Sequence, residues 1–322
     1  METRTLGGTD LKVSRLCLGT MTFGAQVDEP TAASMVDLCL EQGINFFDTA
    51  NVYNAGVTES ILGRILGGRR ERIVLATKVG IKMGEAPDER GLSRAAILKG
   101  IDDSLRRLQT DYVDLFYLHQ PDYTVPLEES LQTVDELIRA GKVRYGAASN
   151  FASWQICHML WLADKHHWQP VRVLQPMYNL LARAIDQEFL PMVRQFGLSV
   201  VAYNPLAGGM LTGKHRPDVV PPGTRFDKMP VYKDRYWHPA TFQAVRQLGD
   251  LAERSNRSLV SVAYGWLLGQ PGVDCVIVGA SRLEQLQQNI QAAQDGPLAA
   301  EGLVECNKVW SELRGVSPPY NR

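Results

Sequence analysis

Eight short apolar runs recur along the chain: RLCLGT (15–20), INFFDTA (44–50), RIVLATK (72–78), YVDLFYLH (112–119), RYGAASN (144–150), VRVLQPMYN (171–179), LSVVAYN (198–204) and VDCVIVG (273–279). They are continuous rather than strictly alternating, the pattern of strands buried on both faces. Between them the spacing turns helical. Segment 93–108 begins at Ser93, a capping residue, and carries Ile97, Leu98, Ile101, Leu105 and Leu108 on one stripe. Segment 127–140 repeats this with Leu127, Leu131, Val134, Leu137 and Ile138, and Gly141 stops it. Segment 29–42 does so with Ala32, Val36, Cys39 and Leu40, and ends at Gly43. Ahead of all of them, TRTLGGTDLKVS (3–14) is a hairpin signal around two glycines.

Parallel strands need crossovers, and eight strand-then-helix units close well on themselves. The expected fold is therefore α/β, a (β/α)8 TIM barrel with an N-terminal β-hairpin and long loops on its C-terminal face. It is expected to span residues 1–322 as one domain. An open doubly wound sheet is the competitor, but its GxGxxG turn after the first strand is missing. One segment, residues 215–238, is long and proline-rich, and it is expected to be a loop acting as a lid on the catalytic face.

Composition adds limits. The 322 residues are 45% hydrophobic and 21% charged, with a net charge of −1. No basic field points to nucleic acid, and no apolar run is long enough for a membrane helix. The N-terminus, METRTLGGTD, is polar and carries no apolar signal segment. The five cysteines are odd in number, far apart and free of CxxC, as expected of reduced thiols in a cytoplasmic protein. The six histidines show no metal spacing, so no metal site is expected.

The stretch SVVAYNPLAGGMLTGKH (199–215) matches most of a triphosphate-binding loop: Gly208, four residues, then Gly213 and Lys214. That loop needs Ser or Thr after the lysine and a helix at once. Here His215 follows, then Pro217, Pro221 and Pro222, so this reading fails.

In barrels of this kind, chemistry gathers where strands end. The second run ends in Asp48, with Tyr53 five residues on; the third ends in Lys78 and the fourth in His119. The fifth closes with Ser149 and Asn150, the sixth carries Gln175, and the seventh ends in Tyr203 and Asn204. Taken singly, each has an ordinary explanation, as a helix cap, a solvated cation or a packed core ring. Together they suggest a proton relay. A buried ammonium beside a tyrosine favours the phenolate and is expected to make the hydroxyl more acidic than its usual ~10. Asp48 would offset the cost of burying Lys78. A phenol that gives its proton to a carbonyl oxygen prepares the carbon for hydride, which a nicotinamide would have to supply.

With these residues in view, the sequence resembles the aldo-keto reductase family. The matching motifs are INFFDTANVY, LATK, DLFYLHQPD, GAASN, LQPMYN, YNPLAGGMLTGK and VIVGASRLEQLQQN, in the family's order and over nearly the whole chain. FGLSVVAYNPLAGGMLTGK, YKDRYWH and the terminal YNR resemble the aflatoxin-aldehyde and succinic-semialdehyde reductase branch. The potassium-channel β-subunit branch is a second relative.

The resemblance implies Tyr53 as proton donor, Lys78 and Asp48 as its tuners, and His119 as the residue that orients the substrate. It implies an NADPH/NADP+ site. Tyr203 would stack on the nicotinamide, with Met21 nearby. Ser149, Asn150 and Gln175 would hold its carboxamide. The backbone of Asn204, Pro205, Leu206, Ala207 and Gly208 would line the pyrophosphate, with Lys214 and Arg225 as cations. Gly279 and Ser281 would open a helix toward the adenosine end, with Gln285, Gln288 and Asn289 on its face. Many family members bind the 2′-phosphate with a lysine near Gly279. This chain has none there, so Arg282, Arg225 or Lys214 would serve. Arg282 reads equally as a solvated helix-start residue.

Phe23, Arg235, Trp237 and Arg322 are the expected substrate contacts. The two arginines suit a carboxylate-bearing aldehyde such as succinic semialdehyde, or else are surface charges. The expected partner is a small carbonyl compound, and self-association is compatible with the sequence. The competing function is a cofactor-binding regulatory or scaffold barrel with little turnover, as in the channel branch.

Overall fold

A computed structural model of the protein describes residues 1–316. The chain opens with an antiparallel hairpin, β1 (Thr3–Thr5) and β2 (Lys12–Ser14). Eight strands follow: β3 (Leu16–Gly19), β4 (Phe46–Asp48), β5 (Val74–Val79), β6 (Val113–Leu118), β7 (Val143–Ser149), β8 (Val173–Gln175), β9 (Ser199–Ala202) and β10 (Cys275–Val278). They form a closed barrel in sequence order, β10 pairing with both β9 and β3, and all its pairs are parallel. Each of the eight apolar runs contains or overlaps one of these strands, β5 and β7 each extending one residue beyond its run, so the expected barrel stands.

Helices α1 (Glu29–Glu41), α2 (Val57–Ile65), α3 (Arg94–Leu108), α4 (Leu127–Arg139), α5 (Ser153–His166) and α6 (Phe189–Phe196) follow the strands from β3 to β8. After β9 come α7 (Arg225–Lys228), α8 (Pro230–Tyr236), α9 (Pro239–Arg254) and α10 (Leu259–Leu268). After β10 come α11 (Leu283–Gln294) and α12 (Ala300–Arg314). Ser93 caps α3 as the sequence suggests, accepting from Ala96 N at 3.3 Å, and Asp28 caps α1, accepting from Thr31 N at 3.0 Å.

Segment 215–238 departs from the expected loop, since α7 and α8 lie inside it. Proline punctuates but does not forbid a helix that starts on it. Pro230 sits in the first turn of α8, where its missing N–H would have had no intrahelical partner. Behind these helices the rings of His215, Phe226, Trp237 and Phe242 pack edge to face, with centroids 4.9–5.6 Å apart.

Two clusters form the core. The outer one lies between strands and helices. The inner one fills the barrel with Cys17, Phe46, Ala76, Leu115, Tyr117, Ala147, Val173, Val201 and Cys275. Leu6, Leu11 and Val13 of the hairpin join this inner cluster. Gly7 N donates to Ser199 Oγ, at the start of β9, at 2.6 Å. The hairpin therefore plugs the N-terminal end of the barrel and leaves the other end for chemistry.

Helices α2 and α3 pack closely. A Cβ added at Gly63 would lie 2.3 Å from the carbonyl oxygen of Arg107 and 2.9 Å from Leu108 Cα. Both are main-chain atoms with little room to retreat. Gly63→Ala is expected to cost about 1–3 kcal/mol and to lower the thermal midpoint; an unchanged melt would contradict this contact.

Candidate active site

Strand alternation assembles the site. Successive side chains point to opposite faces of a strand, so the residue two beyond an inward one also points inward. Phe46, Ala76, Tyr117, Ala147, Val173 and Val201 face the interior. Two residues on from them stand Asp48, Lys78, His119, Ser149, Gln175 and Tyr203. The barrel thus brings these six to its C-terminal mouth, and the turn after β4 adds Tyr53.

The centre is Lys78, which is fully buried. An ammonium has three protons to donate. Here one goes to Asp48 Oδ1, one to the carbonyl of Thr49 at 2.7 Å and one to the Tyr53 hydroxyl oxygen at 3.3 Å. Burial alone would lower the Lys78 pKa. Asp48 and Tyr53 outweigh it and hold the ammonium above its ordinary range. The second oxygen of Asp48 accepts from Gln175 Nε2 at 2.8 Å, so the buried carboxylate is bonded at both ends.

Tyr53 corrects one expectation. Burial raises its pKa above 10, and Lys78 only partly opposes that. The phenol is therefore not more acidic than usual; desolvation of the phenolate wins over the neighbouring cation. Its geometry is still that of a donor. The oxygen accepts from Lys78, which leaves the hydroxyl proton for a different acceptor.

His119 is nearly buried, with its ring 6.2 Å from that of Tyr53 and almost perpendicular to it. Burial, assisted by the Lys78 charge, pushes its pKa down to about 3. The imidazole is neutral, and its Nδ1 is buried without a hydrogen-bond partner.

Asn150 sits at φ 64° and binds the neighbourhood together. Its amide donates to the His119 carbonyl at 2.9 Å and to Ser149 Oγ at 3.1 Å, and its oxygen accepts from Tyr203 OH at 2.8 Å. Ser149 Oγ donates to the Gln175 carbonyl at 2.9 Å. The expected carboxamide trio is thus contiguous, and its polar atoms are bonded to one another and to Asp48. Neither the Thr49 carbonyl nor the tie from Asn150 to the His119 main chain was expected. Backbone acceptors leave no side-chain pattern to read.

Several expected residues also lie together. The turn 204–209 has positive φ at Asn204, Ala207, Gly208 and Gly209, and Asn204 Oδ1 accepts from Gly208 N at 2.7 Å. A Cβ at Gly208 would strike the Tyr232 ring at 2.7 Å. Pro205 and Ala207 are buried, Leu206 and Met21 are half-buried, and Lys214 is exposed. The guanidiniums of Arg225 and Arg235 lie 5.1 and 5.7 Å from the Tyr232 ring centroid.

Beyond β10, Gly279 and Ser281 precede α11, which is capped at Arg282. An open groove of about 720 Å³ runs between Ser281 and Arg282 on one side and Gly24, Gln26 and Thr31 on the other. Arg282 is exposed, with no ion-pair partner among the described residues. A Cβ at Gly279 would meet nothing within 4 Å. Space and a free cation at this position fit the adenosine end of a dinucleotide. Gln288 is exposed, whereas Gln285 bonds back to Ser281 Oγ at 3.0 Å and Asn289 to the Gly279 carbonyl at 3.4 Å.

One substrate expectation changes: Phe23 is fully buried, because the turn after β3 folds it back into the outer core. Trp237 is half-buried beside the rings of His215, Phe226 and Phe242, and its indole donates to the Pro217 carbonyl at 3.1 Å. Arg235 is exposed and, among the described residues, donates to Met177 Sδ at 3.1 Å. Arg322 lies outside the described residues.

Comparison with known proteins gives a consistent result. Residues 15–311 match the aldo/keto reductase family. The chain is 40% identical to an uncharacterized oxidoreductase, YrpG, of Bacillus subtilis, over 99% of this chain and 98% of that protein. It is 37% identical to aflatoxin B1 aldehyde reductase member 2 of Rattus norvegicus, over 99% and 90% of the two chains. It is also 37% identical to a probable voltage-gated potassium channel subunit beta of Arabidopsis thaliana, over 92% and 93%.

The depressed His119 pKa gives a direct check. NMR titration of the imidazole is expected to show a neutral ring through the ordinary histidine range near ~6.5. The unfolded chain takes up that proton first, so the stability tied to His119 falls as pH drops from that range toward 3. A His119 midpoint at its ordinary value would contradict the buried, neutral assignment.

Proposed function

The chain belongs to the aldo/keto reductase family, and from that premise we propose that it is an NADPH-dependent reductase of aldehydes in which Tyr53 gives the proton. The observation that carries the reading is the saturation of Lys78. All three ammonium protons have acceptors, one of them the phenol oxygen, so the Tyr53 proton is free for a carbonyl.

When bound, the nicotinamide supplies the hydride. The protein does the rest. The neutral His119 offers one N–H to the carbonyl oxygen and holds it toward Tyr53. As that oxygen gains charge, Tyr53 transfers its proton, and the neighbouring Lys78 ammonium stabilises the phenolate left behind. Asp48, held by Gln175, keeps Lys78 charged and in place. Because the phenol titrates above 10, the acid form persists through neutral pH. Reduction is then expected to fade only on the alkaline side.

Tyr203 and the trio of Ser149, Asn150 and Gln175 are the proposed nicotinamide contacts. The turn from Asn204 to Gly208 would face the pyrophosphate with Lys214 and Arg225. Arg282 is the proposed 2′-phosphate ligand, supported by its free guanidinium on an open groove. Arg235, which has no carboxylate partner among the described residues, supports an acidic aldehyde such as succinic semialdehyde. The name of the rat relative supports an aldehyde substrate in general.

The Arabidopsis relative supports a second reading, a cofactor-binding scaffold with little turnover. The complete set of Asp48, Tyr53, Lys78 and His119 favours catalysis. Steady-state NADPH oxidation over an aldehyde panel separates the two. Negligible turnover with tight NADPH binding would establish the scaffold.

Tyr53→Phe is expected to bind NADPH normally and lose about 10²–10⁴-fold in turnover; full activity would reject the proton-donor role. Arg235→Ala is expected to raise KM about tenfold or more for carboxylated aldehydes and to leave neutral ones unchanged. An equal effect on both classes would reject carboxylate recognition.

A further inference from the structure

Thr77 and Glu59 are polar, fully buried and outside the site described above. Thr77 precedes Lys78 on β5, so its side chain faces outward toward the helices. Its hydroxyl donates to Glu59 Oε1 at 2.5 Å. Glu59 lies in the first turns of α2, the helix that follows Tyr53. Its other oxygen accepts from Arg107 Nε, on α3, at 2.7 Å. A buried carboxylate costs several kcal/mol to desolvate, and an apolar side chain of similar size would pack helix to strand without that cost. Directed hydrogen bonds add a fixed register between α2 and β5.

That register bears on the phenol. Only Asn54, Ala55 and Gly56 separate Tyr53 from α2, and all three are left-handed, with φ of 47°, 51° and 88°. Left-handed backbone at Asn54 and Ala55 is unfavourable and persists only where its surroundings hold it. Arg107 is part of those surroundings: a Cβ at Gly56 would lie 3.0 Å from its Cδ. Asn54 Nδ2 donates to the Gly24 carbonyl at 2.7 Å, and Thr58 Oγ1 to the Phe23 carbonyl at 2.8 Å. The turn is therefore fastened at both ends, while β5 carries Lys78.

We propose that Thr77, Glu59 and Arg107 form a positioning clamp that sets the distance between the Tyr53 hydroxyl and the Lys78 ammonium. None of the three touches substrate or cofactor. The inference rests on the reading of Tyr53 as proton donor, and it adds the residues that hold it there.

The test compares Thr77→Val, which keeps shape and branching but loses the hydroxyl, with Thr77→Ser, which keeps the hydroxyl. Wild type and Tyr53→Phe are measured alongside. Thr77→Val is expected to lower kcat about tenfold or more, since small misplacements of reacting groups are costly. NADPH affinity should stay unchanged, and the alkaline limb of the kcat profile should move to higher pH, because the phenol has lost its cation. Thr77→Ser should restore both. If Thr77→Val alone does not fold, the double variant with Glu59→Gln, which replaces the carboxylate that lost one of its two partners by a neutral amide of the same shape, carries the same expectation. Wild-type kcat and pH profile in the folded Val variant, beside an inactive Tyr53→Phe, would overturn the clamp and leave the proton donor standing. A fully active Tyr53→Phe would overturn both.

Discussion

A lysine ammonium with no exposure to water organises this protein. Lys78 is tolerable inside the barrel because Asp48, the Thr49 carbonyl and Tyr53 take its three protons. Each acceptor comes from a different part of the β4 strand and turn. Asp48 must face inward, Thr49 must offer its carbonyl, and the chain must come back with Tyr53. Gln175, from the opposite wall, completes Asp48. The geometry of β4, β5, β8 and the turn between β4 and α2 is thus tied to one charge.

The barrel makes that charge affordable. Its interior is filled from below by large apolar side chains, and the hairpin closes the lower end with Leu6, Leu11 and Val13. The charged pair of Asp48 and Lys78 stands in the last inward layer. At the mouth stand the half-buried rings of Tyr53 and Tyr203, with the His119 ring buried beside them. The burial that makes His119 neutral also keeps the Tyr53 phenol protonated. One low-dielectric environment holds both groups in the forms that their proposed roles, proton donor and carbonyl-orienting residue, require.

The parts of this arrangement legible in the sequence were those set by periodicity. Eight continuous apolar runs carried the barrel, and the polar residue closing each run carried the mouth. Strand parity then converts Phe46, Ala76 and Tyr117 into Asp48, Lys78 and His119. What escaped reading depended on balances that a pattern does not contain. The acidity of Tyr53 does not follow from the sequence, because a neighbouring cation is visible there and desolvation is not. The prolines of segment 215–238 point to a loop, although Pro230 starts a helix. Phe23 follows a strand end as a mouth residue would, but a tight turn at Thr20 folds it inward. Thr77 places a hydroxyl outward from β5, and its partner Glu59 is fixed by tertiary packing that no local pattern encodes.

The saturated ammonium has one more consequence. Free amines condense with aldehydes to give imines, and a lysine beside a reactive carbonyl is ordinarily a hazard of self-modification. Lys78 has no lone pair to offer: it is held protonated, and every N–H is spoken for. The buried amine is therefore held out of imine formation, and an aldehyde at the mouth finds no nucleophile in Lys78.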